Sequence, residues 1–105
     1  MYNMYYKNGV IVTPNVVADG DNLTITYKGL LYNDGAHSVL MHTGYGEDWK
    51  DTKDVRMEKT YNGFEAKLPV KSHEKLNMVF KDCAGNWDNN SGRNYSFEVQ
   101  ADMKR

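Results

Sequence analysis

The feature that most constrains this chain is a succession of short runs in which apolar and polar residues alternate, each closed within a few residues by a turn signal. The clearest is Leu23-Thr24-Ile25-Thr26-Tyr27-Lys28, where Leu23, Ile25 and Tyr27 fall on one face of a strand with a period of two residues. Residues 55–59, 64–68, 76–80 and 95–99 also put apolar residues on alternate positions, and 10–13 and 38–42 are short, mostly apolar β-type runs. Between them stand Pro14, the turn over residues 18–22, Asn33-Asp34-Gly35 and Tyr61-Asn62-Gly63, all segments that break or reverse a strand. Helical periodicity is weak throughout. The best helical segment, residues 72–75, is a single turn. Seven or so antiparallel strands in two sheets follow, an all-β, immunoglobulin-like β-sandwich.

The 105 residues make one domain, with 1–105 as a single module. A domain of that size buries roughly two-thirds of its unfolded surface, so it needs no staple. It has no internal one, because Cys83 is the sole cysteine. Thirteen Lys and Arg against 14 Asp and Glu leave a net charge of -1. That balance supplies no field to gather nucleic acid or an anionic membrane, and no apolar run approaches a membrane span. The opening MYNMYYKNG lacks the apolar core of an export signal. The expectation is therefore either a module excised from a secreted amylase-type enzyme or, if Met1 is the native start, a cytoplasmic protein.

The aromatic residues carry the functional signal. Trp49 lies in Gly44-Tyr45-Gly46-Glu47-Asp48-Trp49-Lys50-Asp51, and Trp87 lies in a twelve-residue loop over 82–93 that includes Asn86, Asp88, Asn89 and Asn90. Neither is flanked by the alternating apolar residues that carry an indole into a core. Sugars give two indoles in polar loops a purpose. A pyranose ring has an apolar face of C–H groups that stacks on an aromatic ring. Its rim of hydroxyls matches Asn, Asp, His and Lys side chains. The bland alternative for each Trp is to cap one end of the sandwich.

These residues resemble the starch-binding carbohydrate-binding modules of family 25 and the related family 53. The resemblance runs over residues 37–99. It is carried by Val39-Leu40-Met41-His42-Thr43-Gly44-Tyr45-Gly46 with Trp49, by Met57 and Gly63-Phe64, and by Leu76-Asn77-Met78-Val79-Phe80-Lys81-Asp82 leading into Gly85-Asn86-Trp87-Asp88-Asn89-Asn90-Ser91-Gly92-Arg93-Asn94-Tyr95. It implies a non-catalytic module that binds α-1,4-glucan (starch, glycogen or maltooligosaccharides) at a shallow surface site. His42, Trp49 and Trp87 match its curved aromatic platform, and Asn89 and Asn90 match polar residues beside the second Trp. Asp88, Lys81 and Lys50 are further hydrogen-bonding candidates. Taken without the resemblance, His42 is simply a residue on a sheet face. Phe64 stands where relatives often carry Trp, at a position expected in the core.

Other chemistries lack support. Three scattered His and one Cys make no zinc signature. Asp82, Asn86 and Asp88 offer oxygen ligands but not the spacing of a calcium loop, so no metal or cofactor is expected. No catalytic motif appears, and a sandwich this short does not build the cleft that paired glycosidase carboxylates require. Lys50, Lys53, Arg56 and Lys59 interleave with Asp48, Asp51, Asp54 and Glu58, a solvated face. The rival reading from another class is an immunoglobulin-like protein-interaction or spacer module of a larger protein, with the exposed aromatics as its interface.

Overall fold

The period-two pattern becomes a two-sheet sandwich in a computed structural model that describes residues 4–5, 9–13, 17–18 and 20–100. The first sheet contains β1 (Met4–Tyr5), β2 (Val10–Thr13), β4 (Asn22–Tyr27), β8 (Gly63–Pro69) and β7 (Glu58–Thr60), in that spatial order. In the second, β5 (Val39–Tyr45) lies between β6 (Lys50–Arg56) and β9 (Leu76–Asp82). The other edge of β9 is shared by β10 (Trp87–Asp88) and β11 (Tyr95–Phe97). Pairing within both sheets is antiparallel. A short parallel pair joins β3 (Val17–Ala18) to β12 (Val99–Gln100).

Each face of the core is set by alternation. Leu23, Ile25 and Tyr27 of β4 are fully buried, as are Leu76, Met78 and Phe80 of β9. Tyr27 stacks on Phe80 across the sheets, with ring centroids 4.1 Å apart. Phe64 is buried and meets Tyr32 edge-on, as its core assignment requires. Tyr61-Asn62 forms the expected hairpin turn between β7 and β8.

Three segments differ from the sequence expectation. The run over 55–59 is not one strand. It divides at buried Met57, whose N–H donates to Val39 O (3.0 Å), so β6 belongs to the second sheet and β7 to the first. Residues 72–75 form a bend rather than a helical turn, and the one described helix is α1 (Leu30–Asn33). The Asn33-Asp34-Gly35 signal closes that helix. The long loops are also shorter than expected, because β5 continues to Tyr45 and Trp87-Asp88 pairs with Lys81 and Phe80. Pro14 and Asp19 lie outside the described residues.

Candidate functional site

The outer face of the second sheet gathers the two tryptophans. On β5 the side chains of Val39, Met41, Thr43 and Tyr45 point inward, which sends Leu40, His42 and Gly44 outward. His42 lies opposite Val79 of β9 on one side and Asp54 of β6 on the other. Trp87 lies opposite Lys81, two residues along β9 from Val79 and therefore on the same face. Val79 points away from the core cluster, yet it is only 7% exposed. It is the apolar floor beneath this aromatic patch.

Trp49 reaches the same face through an irregularity. The β5–β6 register shifts between Thr43 and Tyr45: Thr43 pairs with Lys53, whereas Tyr45 pairs with Lys50. That extra residue on β6 is a β-bulge, a device that re-aims side chains. Trp49 and Asp51 both have left-handed backbone (φ 52° and 53°), which is unfavourable for residues bearing a Cβ. The indole then folds back over Gly44. A Cβ placed on Gly44 would stand 2.5 Å from Trp49 Cε3 and 3.1 Å from its Cα, so the ring occupies the space that the missing side chain leaves.

The three rings form a bent surface. His42 and Trp49 are nearly parallel (16°), with centroids 5.5 Å apart. His42 and Trp87 stand almost perpendicular (82°) at 6.4 Å. The two indoles are therefore set at a steep angle to one another with the imidazole between them. Trp87 is 50% exposed and Trp49 is partly exposed. Lys81 Nζ sits 5.1 Å from the Trp87 ring centroid, a cation–π contact. The His42 Nδ1 is hydrogen-bonded to the Asp54 carboxylate. In a neutral imidazole, donation from Nδ1 leaves Nε2 as an acceptor.

Beneath the second indole, Asp88 is buried and fully engaged. It accepts from the Tyr27 hydroxyl (2.6 Å), the Tyr95 hydroxyl (3.0 Å) and the Asn90 N–H (3.1 Å). Burial, reinforced by the adjacent Asp88 carboxylate, pushes the Tyr27 phenol well above the ordinary tyrosine range, so it remains a donor. Asp88 is thus an anchor for β10 rather than a surface hydrogen-bonding group. Asp82 works separately, receiving the side-chain and backbone N–H of Asn86 and the Ala84 N–H. Those bonds, the Asn86 side chain foremost, hold its carboxyl below the usual aspartate range. Among the described residues, no three His, Cys, Asp or Glu side chains converge as a metal site.

The residues after Asp88 form a tight loop. Asn89 O accepts from Gly92 N (3.1 Å) and Asn94 N (2.8 Å), and Asn89 Oδ1 accepts from Gly92 N (2.9 Å). Asn90 Nδ2 donates to Asn94 O (3.0 Å). Asn89 is exposed and Asn90 half-buried. Lys50 pairs with Glu74 (3.6 Å) rather than standing free.

Two indoles and an imidazole thus form one bent patch on a single sheet face. Residues 23–80 match the model of the starch/carbohydrate-binding module, family 53. The chain belongs to that family. The match contains His42 and Trp49 and ends seven residues before Trp87. The module is 30% identical over 95 residues to a beta-amylase of Niallia circulans, covering 88% of this chain and 16% of the enzyme. It is 32% identical to an alpha-amylase of Clostridium acetobutylicum over 71% of this chain and 10% of the enzyme. An alpha-amylase of Niallia circulans is also 32% identical, over 74% of this chain and 6% of the enzyme. The module thus spans only a small part of these relatives. No solved structure matches it.

The structure brings the His42, Trp49 and Trp87 rings together on one face, and Asn89 and Asn90 follow the second ring in the chain. The supporting residues were not legible: Gly44 under Trp49, Val79 beneath the patch, Asp54 behind His42, and the Asp88–Tyr27–Tyr95 cluster. Only Gly44, in a Thr-Gly-Tyr-Gly run inside a strand, carried a signal, since glycine in a strand often marks a close approach.

Proposed function

We propose that the module binds α-1,4-glucan on the outer face of the second sheet, as a non-catalytic part of a larger carbohydrate-active protein of amylase type. The glucose rings lay their C–H faces on Trp49 and Trp87. His42 fills the step between them and presents Nε2 to a hydroxyl. Lys81 and the Asn89 amide sit where they meet rim hydroxyls, while Asn90 keeps the loop in shape. The observation that carries this reading is the steep angle between the two indoles on one face. A coiled α-1,4 chain turns as it runs and can contact both planes, whereas a flat row of rings suits a straight chain. Binding to such an open surface is modest, about micromolar to millimolar, because little area is buried and hydroxyls must be desolvated.

Affinity electrophoresis tests the assignment. Wild-type module should be retarded in a native gel containing amylopectin, and Trp87→Ala should migrate like a non-binding control while keeping its melting temperature. Equal retardation of wild type and variant would remove Trp87 from the site. Wild-type migration unaffected by amylopectin would instead favour a protein-interaction or spacer role.

A further inference from the structure

We propose that the cleft on the α1 side of Trp87 is an additional glucose-binding subsite, so that a glucan long enough to pass the second indole turns and lodges between α1 and the loop over 88–91. The proposal rests on the α-glucan reading above. The cleft has a volume of about 510 Å³, within the range of small-molecule sites. Trp87, Asn89 and Ser91 form one wall, and Lys28, Leu30 and Asn33 line the other. Three large apolar side chains among the described residues are left exposed, and two of them, Trp87 (50%) and Leu30 (55%), flank this cleft. The third, Tyr61, is at a hairpin tip, where a lone exposed aromatic needs no explanation.

The chemistry of the lining is that of a sugar subsite. Leu30 and the indole offer apolar surface to a pyranose face. Asn33, Ser91 and Asn89 offer amide and hydroxyl groups to its rim. The Asn33 amide, the Ser91 hydroxyl and Asn89 Nδ2 make no hydrogen bond among the described residues. The walls are also fixed relative to one another. The Tyr27 hydroxyl accepts from Leu31 N (2.9 Å) in α1 and donates to Asp88 (2.6 Å) in β10, so a buried hydrogen-bond chain ties the helix to the strand carrying Trp87. A pre-set cleft binds without the cost of ordering its walls. Because it continues from a ring standing nearly perpendicular to His42, a chain entering it must bend. A curved α-1,4-glucan does this, and a straight β-1,4-glucan does not.

Calorimetric titration of the whole chain with maltotriose and maltoheptaose provides the test, with Leu30→Ser and Asn33→Ala as variants at exposed positions. Wild type should bind the longer sugar more tightly. Both variants should keep wild-type affinity for maltotriose, with maltoheptaose affinity reduced about two- to tenfold, the value of one net hydrogen bond or a comparable contact. Maltoheptaose affinity unchanged in both variants, or no gain with length in wild type, overturns the subsite while leaving the aromatic platform standing. If wild type binds neither sugar, the platform itself fails, and the subsite with it.

Discussion

Gly44→Ala probes how the platform is built. The new methyl would lie 2.5 Å from Trp49 Cε3 and 3.2 Å from Trp49 Cβ, whereas carbon atoms rest at about 3.5–4.0 Å. The ring must therefore retreat by about 1 Å. It has little room to do so smoothly, because Trp49 is already left-handed and its N–H is tied to Gly46 O (3.3 Å). The retreat breaks the near-parallel contact with His42 and lifts the indole from the sugar path. Overpacking costs about 1–3 kcal/mol, and replacing glycine in a strand returns about 0.5–1 kcal/mol, so a net loss of up to about 2.5 kcal/mol is left to lower the melting temperature of a still-folded protein. Binding should suffer as well. Losing one stacked ring contact forfeits about 0.5–1.5 kcal/mol, which is about a 2- to 13-fold rise in the dissociation constant. Calorimetry with maltoheptaose, alongside a thermal melt, measures both quantities. Wild-type affinity in a folded Gly44→Ala protein would refute the claim that Gly44 positions Trp49 for the ligand.

Two further predictions concern what holds the site. Asp88→Ala strips an acceptor from two buried phenols and should lower stability by about 2–5 kcal/mol, read as a fall in the urea midpoint. Asp88→Asn, which keeps a side-chain acceptor, should lose less, and an unchanged midpoint for Asp88→Ala would sink the anchor role. The raised Tyr27 phenol sets an alkaline limit. Above pH ~10 the unfolded chain releases that proton while the folded chain keeps it, so stability falls with rising pH by up to ~1.4 kcal/mol per unit. Tyr27→Phe should flatten this slope in denaturation curves between pH 9 and 11, and an equal slope in both proteins contradicts the assignment.

The strands were readable because a half-buried strand writes its two faces into alternate residues, as Leu23, Ile25 and Tyr27 do. The sheet switch at Met57 was not. Val55, Met57 and Lys59 alternate just as they would in an unbroken strand, and only the pairing of Met57 N–H with Val39 O marks the crossing. Helix α1 escaped notice because four residues are too short to display a period. It persists through tertiary support, with Leu31 buried and its N–H held by the Tyr27 hydroxyl. The two indoles were legible as aromatics without an apolar context. Their mutual angle was not, since it depends on a bulge and on left-handed residues that no local pattern specifies.

That left-handed backbone is distributed with purpose. Among the described residues, the non-glycine positions at positive φ are Trp49, Asp51, Asn90, Ser91 and Asn94, and all fall at or within seven residues of Trp49 or Trp87 in the chain. Asparagine tolerates this conformation, but for Trp49 the strain is of order 1–3 kcal/mol and must be over-determined by the surroundings. Each loop has a buried polar anchor that does so. Under the first, Asn77 is 3% exposed and donates to Gly46 O (2.8 Å), and its carbonyl accepts from the Ser96 hydroxyl (2.7 Å). Under the second, Asp88 plays the same part through Tyr95. Tyr95 and Ser96 are neighbours on β11, so one three-residue strand braces both anchors and fixes the two indoles in a common frame. A shallow sugar site has little area from which to gain affinity. On the proposed platform, rings already held in place lose no freedom on contact, and that rigidity is what the buried polar anchors would contribute to binding.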